Sequence, residues 1–176
     1  MDSSMEQRTM AQSDLLTRWL PQWRRRTTQL EYLGMPLLLL AARIWIGLIF
    51  FNAGWARITN WSSQDFLFSQ IHPVPFLPAA LAAPLTTAGE LGLSILLMAG
   101  LAGRFSALGL LIMTAVIQFV VGQTPQGQEN AIANPVHYFW MFLLLLVLVR
   151  GPGLLSLDAL IGRLLPGTGR KTQRAG

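Results

Sequence analysis

MPLLLLAARIWIGLIFFNAGWARITNW, residues 35–61, is the stretch on which the fold turns. From Leu37 to Ile58 it is long enough to cross a bilayer, since about 20 apolar residues at about 1.5 Å each span the hydrocarbon. Arg43 lies inside the run and Arg57 near its end. Arg43, Gly47, Phe50, Gly54 and Arg57 recur with the 4-3-4-3 spacing of one helix face. That face is small and charged, and the others are large and apolar. Such a helix must turn its arginines to protein or water and its leucines to lipid.

The rest of the composition agrees. The 176 residues are 52% hydrophobic and only 12% charged, about half the charge of an ordinary soluble domain. The apolar runs are continuous rather than alternating, which points to helices and away from a β-barrel. The expected class is therefore all-α, an integral membrane four-helix bundle in one domain. Cysteine is absent, which excludes disulfides, thiolate metal sites and thiol redox chemistry. The seven methionines do not cluster, and a bis-histidine haem would need His72 and His137 to meet from separate segments, so no metal site is expected. The net charge of +5 is read as membrane orientation rather than as affinity for nucleic acid.

Residues 1–35 form a polar tail with an interfacial segment in which Leu15, Leu16, Trp19, Leu20 and Trp23 alternate with Arg18 and Arg24, Arg25 and Arg26. Residues 36–161 form the membrane domain, and 162–176 a basic tail. After the first span, a loop from about Thr59 to Leu77 holds a short helix through Phe66, Leu67 and Phe68. Ser62 and Asp65 have capping-box-like spacing there, and the aromatics are expected at the interface. The proline-rich run from His72 to Pro78 ends that helix, and the loop reads as a lid. The second span runs from about Ala79 to Leu101 and carries Pro84 and Glu90. Gly100 to Arg104 makes a tight turn. The third span, Phe105 to Gly122, carries Gln118. Asn134 and Pro135 make an N-cap and N1 pair for the fourth apolar run, Val136 to Val149. That run is short, and it can cross a thinned bilayer with Arg150 snorkelling.

Charge sets the expected topology. Arg8, Arg18, Arg24, Arg25 and Arg26 precede the first span, Arg104 sits in the second turn, and Arg150, Arg163, Arg170, Lys171 and Arg174 follow the fourth. Four spans place all of these on one side, whereas three would split them. Both termini are then cytoplasmic, and the two longer loops face outward.

The polar residues inside the spans are the candidate site. By helix rise, Asn52 lies about 24 Å along the first helix from Pro36, and Gln118 about 21 Å along the third from Arg104. Glu90 lies roughly 9 to 17 Å inward from the outer end of the second, depending on whether that helix begins at Pro84 or Ala79. Arg57 and His137 sit near the rim, and Arg43 lies deeper. Glu90 falls between the two arginines and is expected to pair with one of them, Arg43 being favoured because Arg57 can snorkel to water. One reading is a buried ion pair that fixes helix register. The other is a polar pocket for a small polar or anionic ligand. No nucleophile–base–orienter set and no glycine-rich phosphate loop occurs, so catalysis by this chain alone is not expected.

Several short motifs bear a resemblance. Ala42-Arg43, then Gly47-Leu48-Ile49-Phe50 and Ala53-Gly54, is similar to the first helix of the DoxX family. Ala88-Gly89-Glu90-Leu91 resembles its second-helix motif, and Gly100-Leu101 with Arg104 and Ala107 resembles its helical turn. Gly151-Pro152-Gly153 with Ser156-Leu157-Asp158 resembles its closing motif. The likeness covers about residues 37–161. It implies a four-helix bacterial inner-membrane protein. In the DoxD branch such a protein is a subunit of a thiosulfate:quinone oxidoreductase, and other members associate with redox-defence enzymes. The stretch Trp55 to Leu91 looks most similar to members encoded beside metal-binding peptides. Arg57 stands where the family commonly shows lysine, and guanidinium and ammonium bind differently. The resemblance thus implies a membrane subunit of a quinone-linked redox complex with no redox centre of its own. Quinone would be the cofactor, not covalently held, contacted by Arg43, Glu90 and Arg57, with Asn52, Gln118 and His137 next. The alternatives are a non-enzymatic component for handling or exporting a small ligand or metal-binding peptide, and a scaffold for a soluble partner. The expected partners are the lipid bilayer and either another protein or further copies of this chain.

Overall fold

The computed structural model describes Tyr32, residues 34–74 and residues 77–164. The described residues from Leu38 onward form the helical bundle. The N-terminal interfacial segment and the end of the basic C-terminal tail lie outside the described residues.

All the described secondary structure is helical. Helix α1 (Gly34–Thr59) is followed by a loop holding a tight turn at Trp61–Ser63 and a short α2 (Gln64–Phe66), which widens into a π-turn at Leu67–Ile71. Then come α3 (Ala79–Ala99), α4 (Gly103–Phe119), α5 (Pro125–Glu129), α6 (Val136–Arg150) and α7 (Leu157–Leu164). Three of these helices, α1, α3 and α4 with its continuation to Gln123, are long and apolar enough to cross a membrane. The fourth apolar helix, α6, has 15 residues, about 22 Å of helix against roughly 30 Å of hydrocarbon.

The helices pack as a ring. Gly47 and Gly54 let α1 approach α3 closely, because a Cβ built at Gly54 would stand 3.1 Å from Glu90 Cβ, and one at Gly47 would crowd Met98. On its other flank α1 meets α6 through the edge-on pairs Trp45–Phe139 and Phe50–Trp140. Helix α4 closes the ring against α3 and α6. Ile46, Leu97, Leu110, Leu144 and Val147 fill the centre without exposure. The small, charged face of α1 read from the sequence is the inward one: Arg43, Gly47, Phe50 and Gly54 are buried and Arg57 is half-buried. The leucines and tryptophans of the opposite faces are exposed, as lipid contact requires.

The helix ends follow local chemistry. Gly100 ends α3 in the left-handed region at φ 69°, with the backbone N–H groups of Gly100 and Leu101 donating back to Leu97 and Leu96. Asn134 Oδ1 accepts from the Val136 N–H at 2.9 Å while Pro135 is already helical, the cap expected for α6. Thr124 caps α5 by accepting from the Gly127 N–H, a short helix in a segment that reads as polar loop in the sequence. The capping expected at Ser62 and Asp65 does not form. Ser63 Oγ donates instead to the Asn60 carbonyl, and α2 has no side-chain cap.

Candidate functional site

The polar residues fall into separate groups. At the end of the bundle nearest α2, Glu90 is 2% exposed and its Oε2 lies 2.9 Å from Nε of Arg57, whose side chain is 13% exposed. The contact is one of charge more than of an aligned hydrogen bond. Arg57 Nη1 is buried with no partner. The guanidinium also sits 5.0 Å above the ring of Phe68, a cation–π contact. Phe68 is buried rather than interfacial, so the loop aromatic expected among lipid headgroups roofs the ion pair instead.

Arg43, the favoured partner of Glu90 on sequence grounds, is elsewhere. It is fully buried at the opposite end of α1, where Nη2 donates to the Leu155 carbonyl at 2.5 Å and Nε and Nη1 lack partners. It lies against Gly100 and Ser156. Asp158 completes this end: its two carboxylate oxygens accept from the N–H groups of Ala102 and Gly103 at 2.9 and 3.0 Å, and its own N–H donates to the Gly100 carbonyl. A carboxylate at the N-terminus of α4 satisfies orphan donors and meets the positive end of the helix dipole. Arg43 and Asp158 thus bind the segment after α6 to the α3–α4 turn.

Gln118 and His137 form a third group. Gln118 Oε1 accepts from the Asn134 backbone N–H at 2.9 Å and lies 2.7 Å from His137 Nδ1. The backbone donor fixes which end of the amide is oxygen, so His137 Nδ1 must carry the proton. Trp140 packs on the imidazole at 4.9 Å between ring centres. This cluster ties the start of α6 to α4. Asn52 joins none of these groups and is exposed on the outside of α1.

A cavity of about 170 Å³ adjoins the ion pair. Arg57, His72 and Thr86 supply its polar wall, and Phe68, Ile112, Met113, Val116 and others the apolar remainder. Sequence reasoning placed Arg57 at the rim but missed Thr86 and the cavity, because the wall comes from loop, α3 and α4 together. His72 has its pKa held below the usual 6.5, first by burial and then by the adjacent Arg57 charge. The unfolded chain therefore binds a proton that the folded chain refuses as pH falls below about 6.5. His72 thus favours the folded state above that pH, and the benefit drains away as pH drops toward the lower folded value. The melting temperature in detergent should fall between pH 7.5 and 5, and His72→Gln should flatten that slope. An unchanged slope would place the acid sensitivity elsewhere.

A family model described as DoxX matches residues 38–123. Over 146 residues the chain is 30% identical to a Haemophilus influenzae protein described as uncharacterized, a match covering 78% of this chain and 92% of that one. No solved structure matches. The matched stretch runs from Arg43 through the Arg57–Glu90 pair to Gln118, with the cavity wall up to Val121. The chain is a membrane protein and belongs to the DoxX family.

Proposed function

We propose that this protein is a multi-pass inner-membrane subunit of a quinone-linked redox complex, holding a quinone headgroup in the cavity beside Arg57. The carrying observation is that Arg57 lines this largely apolar cavity while its buried Nη1 has no hydrogen-bond partner. A buried donor without an acceptor is costly, and a ligand carbonyl would relieve it. An apolar cavity of about 150 Å³ takes up benzene in another protein, so the space suits a single ring. Glu90 neutralises Arg57, and the site therefore favours an uncharged polar ring over a free anion. Phe68 and Glu90 hold the guanidinium in place, Thr86 offers a hydroxyl, and neutral His72 offers a nitrogen able to accept a proton. A bound quinone would supply two-electron, two-proton chemistry, and a partner protein would supply the other redox centre. Arg43, Gln118 and His137 act as structural ties in this reading, and Asn52 stands outside it.

The same reading takes α6 as the fourth span, with both tails, 1–35 and 162–176, on the cytoplasmic side. Reporters fused after Arg163 should then be cytoplasmic and those near Gln126 periplasmic. A periplasmic C-terminus would remove α6 from the membrane.

The ligand is tested by purifying the protein in mild detergent and measuring co-purified quinone by mass spectrometry. Val116→Phe fills the cavity while leaving the Arg57 and Glu90 side chains themselves unaltered. It should cut bound quinone about tenfold or more, the scale of losing roughly 1.4 kcal/mol of binding, while the melting temperature stays near that of the parent. Equal quinone in parent and variant, or none in the parent even after quinone is added back, would sink the proposal.

A further inference from the structure

The polar side chains within the spanning helices follow a rule with one exception. Thr87, Glu90, Ser94, Thr114 and Gln118 are buried, as is Arg43, and Thr86 and Arg57 are half-buried. Asn52 alone, among the described residues of the span interiors, is exposed. It lies about 10 Å from the Thr59 end of α1 and about 27 Å from the Gly34 end, at about 1.5 Å per residue. Lysine or arginine at such a depth can extend its charge to the interface, but asparagine has a single methylene and cannot. A hydrogen bond from its amide to the carbonyl of the preceding turn would satisfy a donor and still leave the side-chain oxygen unmet. In hydrocarbon such a group needs a partner that offers both a donor and an acceptor.

We propose that the outward face of α1 centred on Asn52 pairs with the same face of a second copy of this chain. The argument for a second copy is self-complementarity. A carboxamide is donor and acceptor at once, so two Asn52 side chains related by a twofold axis satisfy each other with no further chemistry. The residues one turn away on this face, Leu48 and Ala56, are exposed, and the small Ala56 lets two helices approach. The inference rests on α1 crossing a membrane and is independent of the quinone reading.

The chain contains no cysteine, so single-cysteine variants of the full-length protein report contact cleanly in native membranes. Leu48→Cys and Ala56→Cys should give disulfide-linked dimers on oxidation. Leu108→Cys, on the exposed face of α4, should not. Adding Asn52→Leu to the first two should weaken dimer formation about tenfold, the scale of an interhelical amide hydrogen bond in a membrane, whereas Asn52→Gln should preserve it. Asn52 is exposed, so neither change disturbs the bundle core. Equal cross-linking at all three positions, none at Leu48 and Ala56, cross-links only to a different protein, or full dimerisation with leucine at position 52 would each overturn the proposal.

Discussion

Glu90→Gln is expected to destabilise the folded protein by about 3–5 kcal/mol, the usual loss when a buried ion pair is broken by removing one partner. The substitution keeps the shape of the side chain and deletes its charge. Arg57 would then hold its charge among Phe68 and the apolar cavity wall with Nη1 already unpartnered. Arg57→Gln strands the carboxylate, which is 2% exposed, and should cost a similar amount. The double variant should lose clearly less than the sum, since neither charge is left alone. The contrasting pair is Glu90→Gln with Arg43→Gln. Arg43 lies 14 residues before Arg57 on α1, about 21 Å away by helix rise, and its hydrogen bond is to Leu155. Those two losses should add within about 0.5 kcal/mol, as distant sites do. Unfolding in detergent followed by circular dichroism measures all five variants. Additivity for Arg57 with Glu90, or strong coupling for Arg43 with Glu90, would contradict the observed pairing.

The misplaced preference for Arg43 has a physical origin. It rested on Arg57 snorkelling to water, whereas loop residues Phe68 and His72 lie against Arg57 and keep it beside Glu90. Counting residues from helix ends, which only placed Glu90 between the two arginines, treats the ends of α1 and α3 as level. They are staggered. Gly54 faces Glu90, yet Gly54 is five residues from the end of α1, about 8 Å, while Glu90 is 11 residues from the start of α3, about 17 Å. Helix α3 therefore reaches about one and a half turns further, and the loop with α2 fills the step, bringing Phe68 and His72 over Arg57. No periodicity in either helix encodes that offset. It comes from the glycines of α1 meshing with side chains of α3. The inward face of α1, the cap at Asn134 and the turn at Gly100 were legible because each depends on residues a few positions apart. Asp158 was not, because its carboxylate caps a helix that begins 55 residues earlier. Helices α5 and α7 were not legible either, because five and eight residues carry too few turns to show a period.

Gly100→Ala should be strongly damaging for a single added methyl group, costing about 2–5 kcal/mol when the left-handed backbone penalty and overpacking are combined. Gly100 sits at φ 69°, where an L side chain is strained, and its missing Cβ is the space into which Arg43 and Ser156 pack. A methyl group there meets the Ser156 backbone at 3.0 Å and the buried guanidinium closer still. The guanidinium cannot withdraw cheaply, since it donates to Leu155 and is wholly buried. The Gly100 carbonyl also receives the Asp158 N–H, so a shift of the turn loosens the carboxylate that caps α4. The control is Gly92→Ala, in the middle of α3, where a Cβ meets nothing within 4 Å. That change should leave stability unchanged or raise it by up to about 1 kcal/mol, because alanine is the better helix former. Opposite signs for two glycine-to-alanine changes, one within α3 and one at its end, separate the site from the general effect of the substitution. Thermal unfolding of both variants in the same detergent reads the difference. A Gly100→Ala protein as stable as the parent would mean that the turn can open without cost, and that Arg43 and Asp158 do not lock it.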